Sequence, residues 1–233
     1  MTALSAIQAA SIRLIGRKPS VVFSATATFE VEMADLVTEV AADIAASHDW
    51  QGLIKVHTLT GDGTSVAFDL PSDYGRMLIK ADLLDTQSFA WGYTRIVDIN
   101  EFLYLRQMGV NALPGNWILY GNQFQFQPAP ASGATTIFPY VDKRYALGAD
   151  TVAKEAFTAD DDTFRLPERL LTLGLIWKWR QNKRLDYGED EANFVKAFNE
   201  AAGRDKGSRI IATGPKRFAG MDVSVAYPNA LGS

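Results

Sequence analysis

The chain contains no cysteine and only two histidines, His48 and His57, among 233 residues. The first absence excludes disulfides, thiolate metal sites and cysteine nucleophiles. The second leaves little imidazole for metal binding or proton transfer. His57 falls in a strand pattern, and His48 at a helix end, where a cation suits the last carbonyls. There is no Walker loop, dinucleotide fingerprint, nucleophile elbow or His-Glu-x-x-His. The expectation is therefore no catalytic residue, no cofactor and no metal. A basic excess is missing too: Lys and Arg number 23 against 27 Asp and Glu, a formal charge of -4. That argues against gripping nucleic acid over a broad basic surface, though not against DNA merely passing by. No apolar run approaches the ~20 residues that span a bilayer, so no membrane role is expected. Met1-Thr-Ala-Leu-Ser-Ala lacks the basic start and apolar run of a signal peptide. The expectation is a chain made and used in a cytoplasm, or in something assembled there.

What the chain has in quantity is apolar helix, above all Leu166-Pro-Glu-Arg-Leu-Leu-Thr-Leu-Gly-Leu-Ile-Trp-Lys-Trp-Arg180. Asp162 and Thr163 can cap it, Pro167 suits its first turn, and Glu168 complements the positive end. Leu170, Leu173, Gly174 and Trp177 form one stripe at 3.6-residue spacing, and Leu171, Leu175 and Lys178 a second. Leu166, Thr172, Ile176 and Trp179 fill the flank between. A helix apolar nearly all round is buried against more than one neighbour. It is either the centre of a bundle or a core helix that also meets another subunit.

Around it the pattern predicts a helix from Thr2 or Ser5 with Leu4, Ile7, Ile12 and Ile15 on its apolar side, stopped at Gly16 and Pro19. A second helix spans about Thr28 to Ser47, its carboxylates Glu30, Glu32, Asp35, Glu39 and Asp43 mostly outward. Trp50 then plugs one end of the bundle. Period 2 follows: Leu53–Thr60 and Val66–Leu70 read as a hairpin about Gly61-Asp62-Gly63-Thr64. A strand rather than a helix follows that turn, which excludes a phosphate loop. Met77–Leu84 and Phe89–Val97 read as strands, and Asp98 opens a short helix. Trp117–Tyr120 and Phe124–Phe126 form a hairpin about Gly121-Asn122. Thr135–Val141 is a strand that Pro139 confines to an edge. Asp160-Asp161-Asp162 reads as a helix-start cluster rather than a metal site. A partner helix spans about Glu189 to Lys206, with Phe194, Val195, Ala197, Phe198 and Ala201 inward. The remainder, Gly207 to Ser233, is a basic, Gly- and Ser-rich tail with small apolar clusters.

The expected fold is α+β. Two N-terminal helices (1–50) and two C-terminal helices (151–206) form one bundle, which emits an inserted β-rich subdomain (51–150) and an extended docking tail (207–233). Trp50, Leu170, Leu173, Trp177, Phe194 and Phe198 are the candidate bundle core.

Four segments carry a family resemblance: Ile7–Gly16 with its Pro19 turn; Ala45–Leu53; the Phe68–Tyr74 strand exit; and above all Phe157–Trp179, continued by Lys183–Asp190. In this order and spacing the chain resembles the head-to-tail adaptor (connector) proteins of tailed bacteriophages. That resemblance does not reach beyond Asp205. It implies a non-enzymatic virion protein, assembled in the host cytoplasm as a dodecameric ring. Its implied partners are further copies of itself, the portal protein, and a tail or nozzle protein. Genomic DNA would pass through the lumen without specific binding. A ring subunit needs apolar side chains on two flanks. On this view Leu166, Thr172, Ile176 and Trp179 face the neighbouring subunit, since Trp177 and Trp179, two apart, cannot share a helix face. By extension from related adaptors, the tail docks on the portal through Arg209, Ile210, Ile211, Lys216, Arg217, Val223, Val225 and Tyr227. The competing readings are a tail-side completion or tube-capping protein, and an unrelated soluble binding module.

Overall fold

The computed structural model describes residues 2–78, 83–85, 93–109 and 115–205. The expected tail residues Arg209 to Tyr227 lie outside these, as do Phe89, Trp91 and the middle of the expected Met77–Leu84 strand. The fold is α+β, with five α-helices among the described residues.

Helix α1 (Ala3–Ile15) starts where the Thr2 hydroxyl accepts the amide of Ser5, and stops at Gly16, left-handed at φ 68°. Its buried face is Ala3, Ala6, Ile7, Ala10 and Ser11; of the expected stripe Ile7 is buried and Leu4 packs against the core, but Ile12 and Ile15 do neither. Small side chains let a helix approach its neighbour closely, so the alanines take the inside. Ile12 and Ile15 remain 54% and 40% exposed. Helix α2 (Thr28–Ser47) buries Met33, Leu36, Val37, Val40, Ala41, Ile44 and Ala45 at helical spacing. Glu30 turns inward as well, against expectation, because Arg17 pairs with it there. Trp50 is buried, and its indole N–H donates to the Ile44 carbonyl at 2.8 Å, satisfying an orphan acceptor of the last turn.

Helix α3 is Ile99–Gln107, α4 is Glu168–Asn182 and α5 is Gly188–Asp205. Helix α4 packs on α1, α2 and α5. A β-carbon on Gly174 would sit 2.5 Å from Val40 Cγ1, so α2 and α4 meet where neither has side chain to spare. Pro167, without a side-chain cap, precedes α4. Asp162 and Thr163 do not start it, because the chain first adds a strand.

That strand belongs to a small antiparallel sheet. In it β9 (Ala146–Leu147) lies between β10 (Ala153–Lys154) and β11 (Thr163–Phe164). Thr2 bridges to Thr163, and Ala3 donates its amide to the Asp162 carbonyl at 2.6 Å, tying the start of α1 to this loop.

Two larger sheets enclose a second, aromatic-rich core. In the first, β8 (Thr135–Asp142) is central. It pairs with β1 (Ile54–Thr60) on one side, and with β3 (Tyr74–Met77) and β4 (Leu84–Asp85) on the other. In the second the order is β2 (Ala67–Asp69), β7 (Gln123–Gln127), β6 (Gly115–Tyr120), β5 (Tyr93–Arg95). The expected hairpin of Leu53–Thr60 with Val66–Leu70 is therefore absent: β1 pairs with β8 and β2 with β7. The intervening loop docks on residues 130–134 instead. Gly61 donates to the Ala134 carbonyl at 2.8 Å and accepts from Gly133 at 2.9 Å.

Pro139 does not mark an edge either. It pairs with Val56 across β1, while on the opposite side pairing runs to Tyr140 with β3 and resumes at Ile137 with β4. A residue with no N–H to donate thus sits where the partner strand is interrupted. The β6–β7 hairpin has the expected two-residue turn, Gly121 and Asn122 both at positive φ, the type I′ geometry. β5 and β6 run parallel with α3 between them.

The two sheets share one core. Leu59, Met77, Phe138 and Tyr140 from the first meet Tyr93, Trp117, Phe124 and Phe126 from the second. The Phe124 and Phe138 rings lie 4.3 Å apart. The second sheet is covered on its other face by α3, where Ile118 packs with Ile96 and Phe102. A strand buried on both faces reads as a continuous apolar run, as Trp117-Ile-Leu-Tyr120 does.

Candidate functional site

His48 lies against Trp50 with its Nε2 3.7 Å from Asp205, and His57 packs on Phe138. No group of three or more potential metal ligands occurs among the described residues. Of the three consecutive aspartates, Asp160 and Asp162 hold loop structure rather than a helix start. Asp160 accepts the amides of Val22 and Phe23 at 3.0 and 3.2 Å. Asp162, fully buried, accepts from Lys154 and from the amides of Thr158 and Ala159 at 2.7, 2.7 and 3.0 Å. Burial alone would raise its carboxyl, but the Lys154 ammonium and those amides hold it below the usual range. No described helix is long and apolar enough to cross a membrane.

What the sequence did not single out is a buried ionic joint where the strands meet the helices. Asp142 ends β8, and Val141 beside it belongs to the helical core. The Asp142 carboxylate, wholly buried, accepts from Lys55 at 2.9 Å, Arg144 Nε at 3.0 Å and Arg165 at 3.0 Å. Asp73 accepts from Lys55 at 2.6 Å, from Tyr140 at 2.8 Å and from Arg144. Arg165 also donates to the carbonyls of Arg144 and Gly52, at 2.6 and 2.7 Å, and Arg76 pairs with Asp49 just after α2. Burial would raise the Asp142 carboxyl; hydrogen bonds from Arg144, Lys55 and Arg165 outweigh it and hold it at about 2. Burial drives the Tyr140 hydroxyl well up, and its bond to Asp73 adds to that. Neither the Asp142 carboxyl nor the Tyr140 hydroxyl is poised to exchange protons near neutrality. The arrangement is a clamp: residues from β1, β8, the turn after β8 and the approach to α4 share two carboxylates, one at the end of β8 and one just before β3. Its signal in the sequence is weak, because ion pairs between distant segments have no periodicity.

The residues expected to matter fall as follows. Trp50 and Leu170 are buried in the helical core, and Leu173, Phe194 and Phe198 pack half-buried against it. Trp177 is half-buried with its ring 5.9 Å from that of Phe194. The four residues assigned to a neighbouring subunit are placed differently. Leu166, Thr172 and Ile176 are 8%, 9% and 2% exposed, enclosed by their own chain, because α4 meets three helices rather than one. Trp179 packs edge-on against Phe29, and its indole N–H donates to Glu32 at 3.3 Å. The over-hydrophobic character of α4 is thus largely accounted for within a single subunit.

Apolar surface remains elsewhere. Between α2 and α5 runs a groove of about 190 Å³ lined by Val40, Ile44, Trp177, Phe194 and Phe198, with Asp43 and Lys178 at its rim. The Trp177 indole N–H is buried without a hydrogen-bond partner among the described residues. Helix α3 exposes Ile99, Leu103, Tyr104 and Met108. Exposed apolar surfaces of this kind mark places where another chain can pack.

A profile of the family described as SU10 adaptor protein matches residues 1–218. The chain belongs to this phage head-to-tail adaptor family. The match runs past Asp205 and takes in Arg209, Ile210, Ile211, Lys216 and Arg217, whereas Val223, Val225 and Tyr227 lie outside it. The comparison with curated proteins finds no match. Membership makes the chain a structural component of a tailed-phage virion, associated with portal and tail proteins, and places it in no enzyme class.

Proposed function

We propose that this chain assembles, in the host cytoplasm, into a closed dodecameric ring that joins the portal vertex to the tail and surrounds the DNA exit channel. The family match over nearly the whole chain carries the reading. In each subunit the helices of segments 1–50 and 151–206 form the bundle, segment 51–150 is the inserted β-rich subdomain, and 207–233 is the docking tail. The clamp around Asp142 and Asp73 supports a rigid relation between strands and helices, which a ring under DNA pressure needs. A net charge of -4 suits a lumen that DNA slides through without sticking. The tail, with Arg209, Lys216 and Arg217 among Ile210, Ile211, Val223, Val225 and Tyr227, docks on the portal through these basic and apolar side chains.

Mass photometry of the chain alone, with purified portal rings and with tail tubes tests this. The expected result is a ring-sized species, or monomer that forms rings only on portals. Binding to tail tubes with no affinity for portals would favour a tail-side completion protein instead.

A further inference from the structure

From the surface left over once the core is closed, we infer how one copy meets the next: the α1 end of one subunit seats in the α2/α5 groove of its neighbour. This rests on the ring reading above and names the contact that builds it.

Among the described residues nothing fills the groove. Its walls are apolar, with Val40, Ile44, Phe194 and Phe198 among them. Of the whole of α5 only Ala197 is fully buried. The buried Trp177 N–H adds an unsatisfied donor, which an incoming acceptor would relieve. At the rim two carboxylates, Glu39 and Asp43, share the one ammonium of Lys178 at 3.5 and 3.9 Å, which leaves an acidic excess of one.

The complementary surface lies at the end of α1. Ile12 and Ile15, one turn apart, are 54% and 40% exposed, the side chains the alanine face displaced outward. Arg13 and Lys18 beside them are exposed, and neither makes an ion pair among the described residues. Apolar centre and basic flank meet apolar centre and acidic rim, the pattern that fixes register and suppresses wrong pairings.

The two surfaces are distinct. α1 is no wall of the groove, and Arg17 pins the end of α1 to Glu30, near the start of α2. From Glu30 to Asp43 is about 20 Å along that helix. A contact between two different patches is heterologous, so it propagates from copy to copy rather than stopping at a dimer, and it forms a ring where the rotation closes.

The chain has no cysteine, so introduced thiols report cleanly. Ile15→Cys and Ser47→Cys would be combined in one chain and treated, as the assembled oligomer, with a short bis-maleimide. Ile15 is exposed at the α1 end and Ser47 lines the groove. The expected result is a ladder of dimers, trimers and higher species, with nothing above dimer from either single-cysteine chain. Arg13→Glu should weaken assembly at least tenfold, and adding Asp43→Lys should restore it. Rings of full mass that give no ladder would overturn this contact while leaving the ring reading intact. A chain that never assembles, alone or on portals, would overturn both.

Discussion

Replacing Asp142 by Asn should be among the most damaging single changes in the strand region, although the two side chains have the same shape. Asp142 is wholly buried and answers three cations, Lys55, Arg144 and Arg165. Proton linkage alone sets a floor. Its carboxyl is held at about 2 against an ordinary 3.8, which corresponds to about 2 kcal/mol at neutral pH. The substitution costs more, because it leaves those cations buried around Asp73 alone. Removing one partner of a buried pair costs about 3–5 kcal/mol. For a chain of this length a kcal/mol is worth roughly 2–4 °C, so Tm should fall by about 6–20 °C. Thermal and urea unfolding at pH 7 would measure it. Asp69→Asn is the control: Asp69 is exposed on β2 and bonded to Gln123, and its loss should stay within about 0.5 kcal/mol. If Asp142→Asn were as mild as Asp69→Asn, the joint would not be holding the strands to the helices.

Acid should undo the same joint. The carboxyls of Asp142, Asp73 and Asp162 are all lowered in the folded chain, so their contribution is present above the ordinary carboxylate range. It is lost as pH falls through the folded values. Tm should be level from pH 7 to about 5 and drop steeply below about 4, less steeply in Asp142→Asn. Gly61→Val tests the loop docking that replaces the expected hairpin. A β-carbon there would lie 2.4 Å from the Ala131 carbonyl oxygen, and overpacking of this kind costs about 1–3 kcal/mol by denaturant unfolding. Deleting residues 207–233 should change stability by less than about 1 kcal/mol, a Tm shift of no more than about 4 °C, yet weaken portal docking in a pull-down. A large loss of Tm would mean that the tail packs within its own subunit.

Local signals in the sequence read through to the structure where local physics decides. The Gly121-Asn122 turn, the Asp98 cap of α3 and the Gly16 stop each involve residues a few positions apart, and each is found. Partner choice between strands is non-local, and there the reading went astray. Gly61–Thr64 looks like a hairpin turn, yet β1 pairs with a strand that begins at Thr135. Pro139 looks like an edge marker because nothing in its neighbourhood announces that two short strands share one side of β8. Hydropathy also ranked isoleucine above alanine on α1, whereas close helix contact favours the smaller residue. The ionic joint escaped notice for a related reason: Asp73, Asp142 and Arg165 meet only after the chain has folded. The family resemblance survived these errors because it rests on order and spacing rather than on pairing.

A cryo-electron reconstruction of the neck of an assembled particle tests the central claim most directly. It should show this fold repeated as a closed ring between portal and tail, encircling the DNA channel, with residues 207–233 lying on the portal. Density for this fold away from the neck, or a neck without it, would contradict the account.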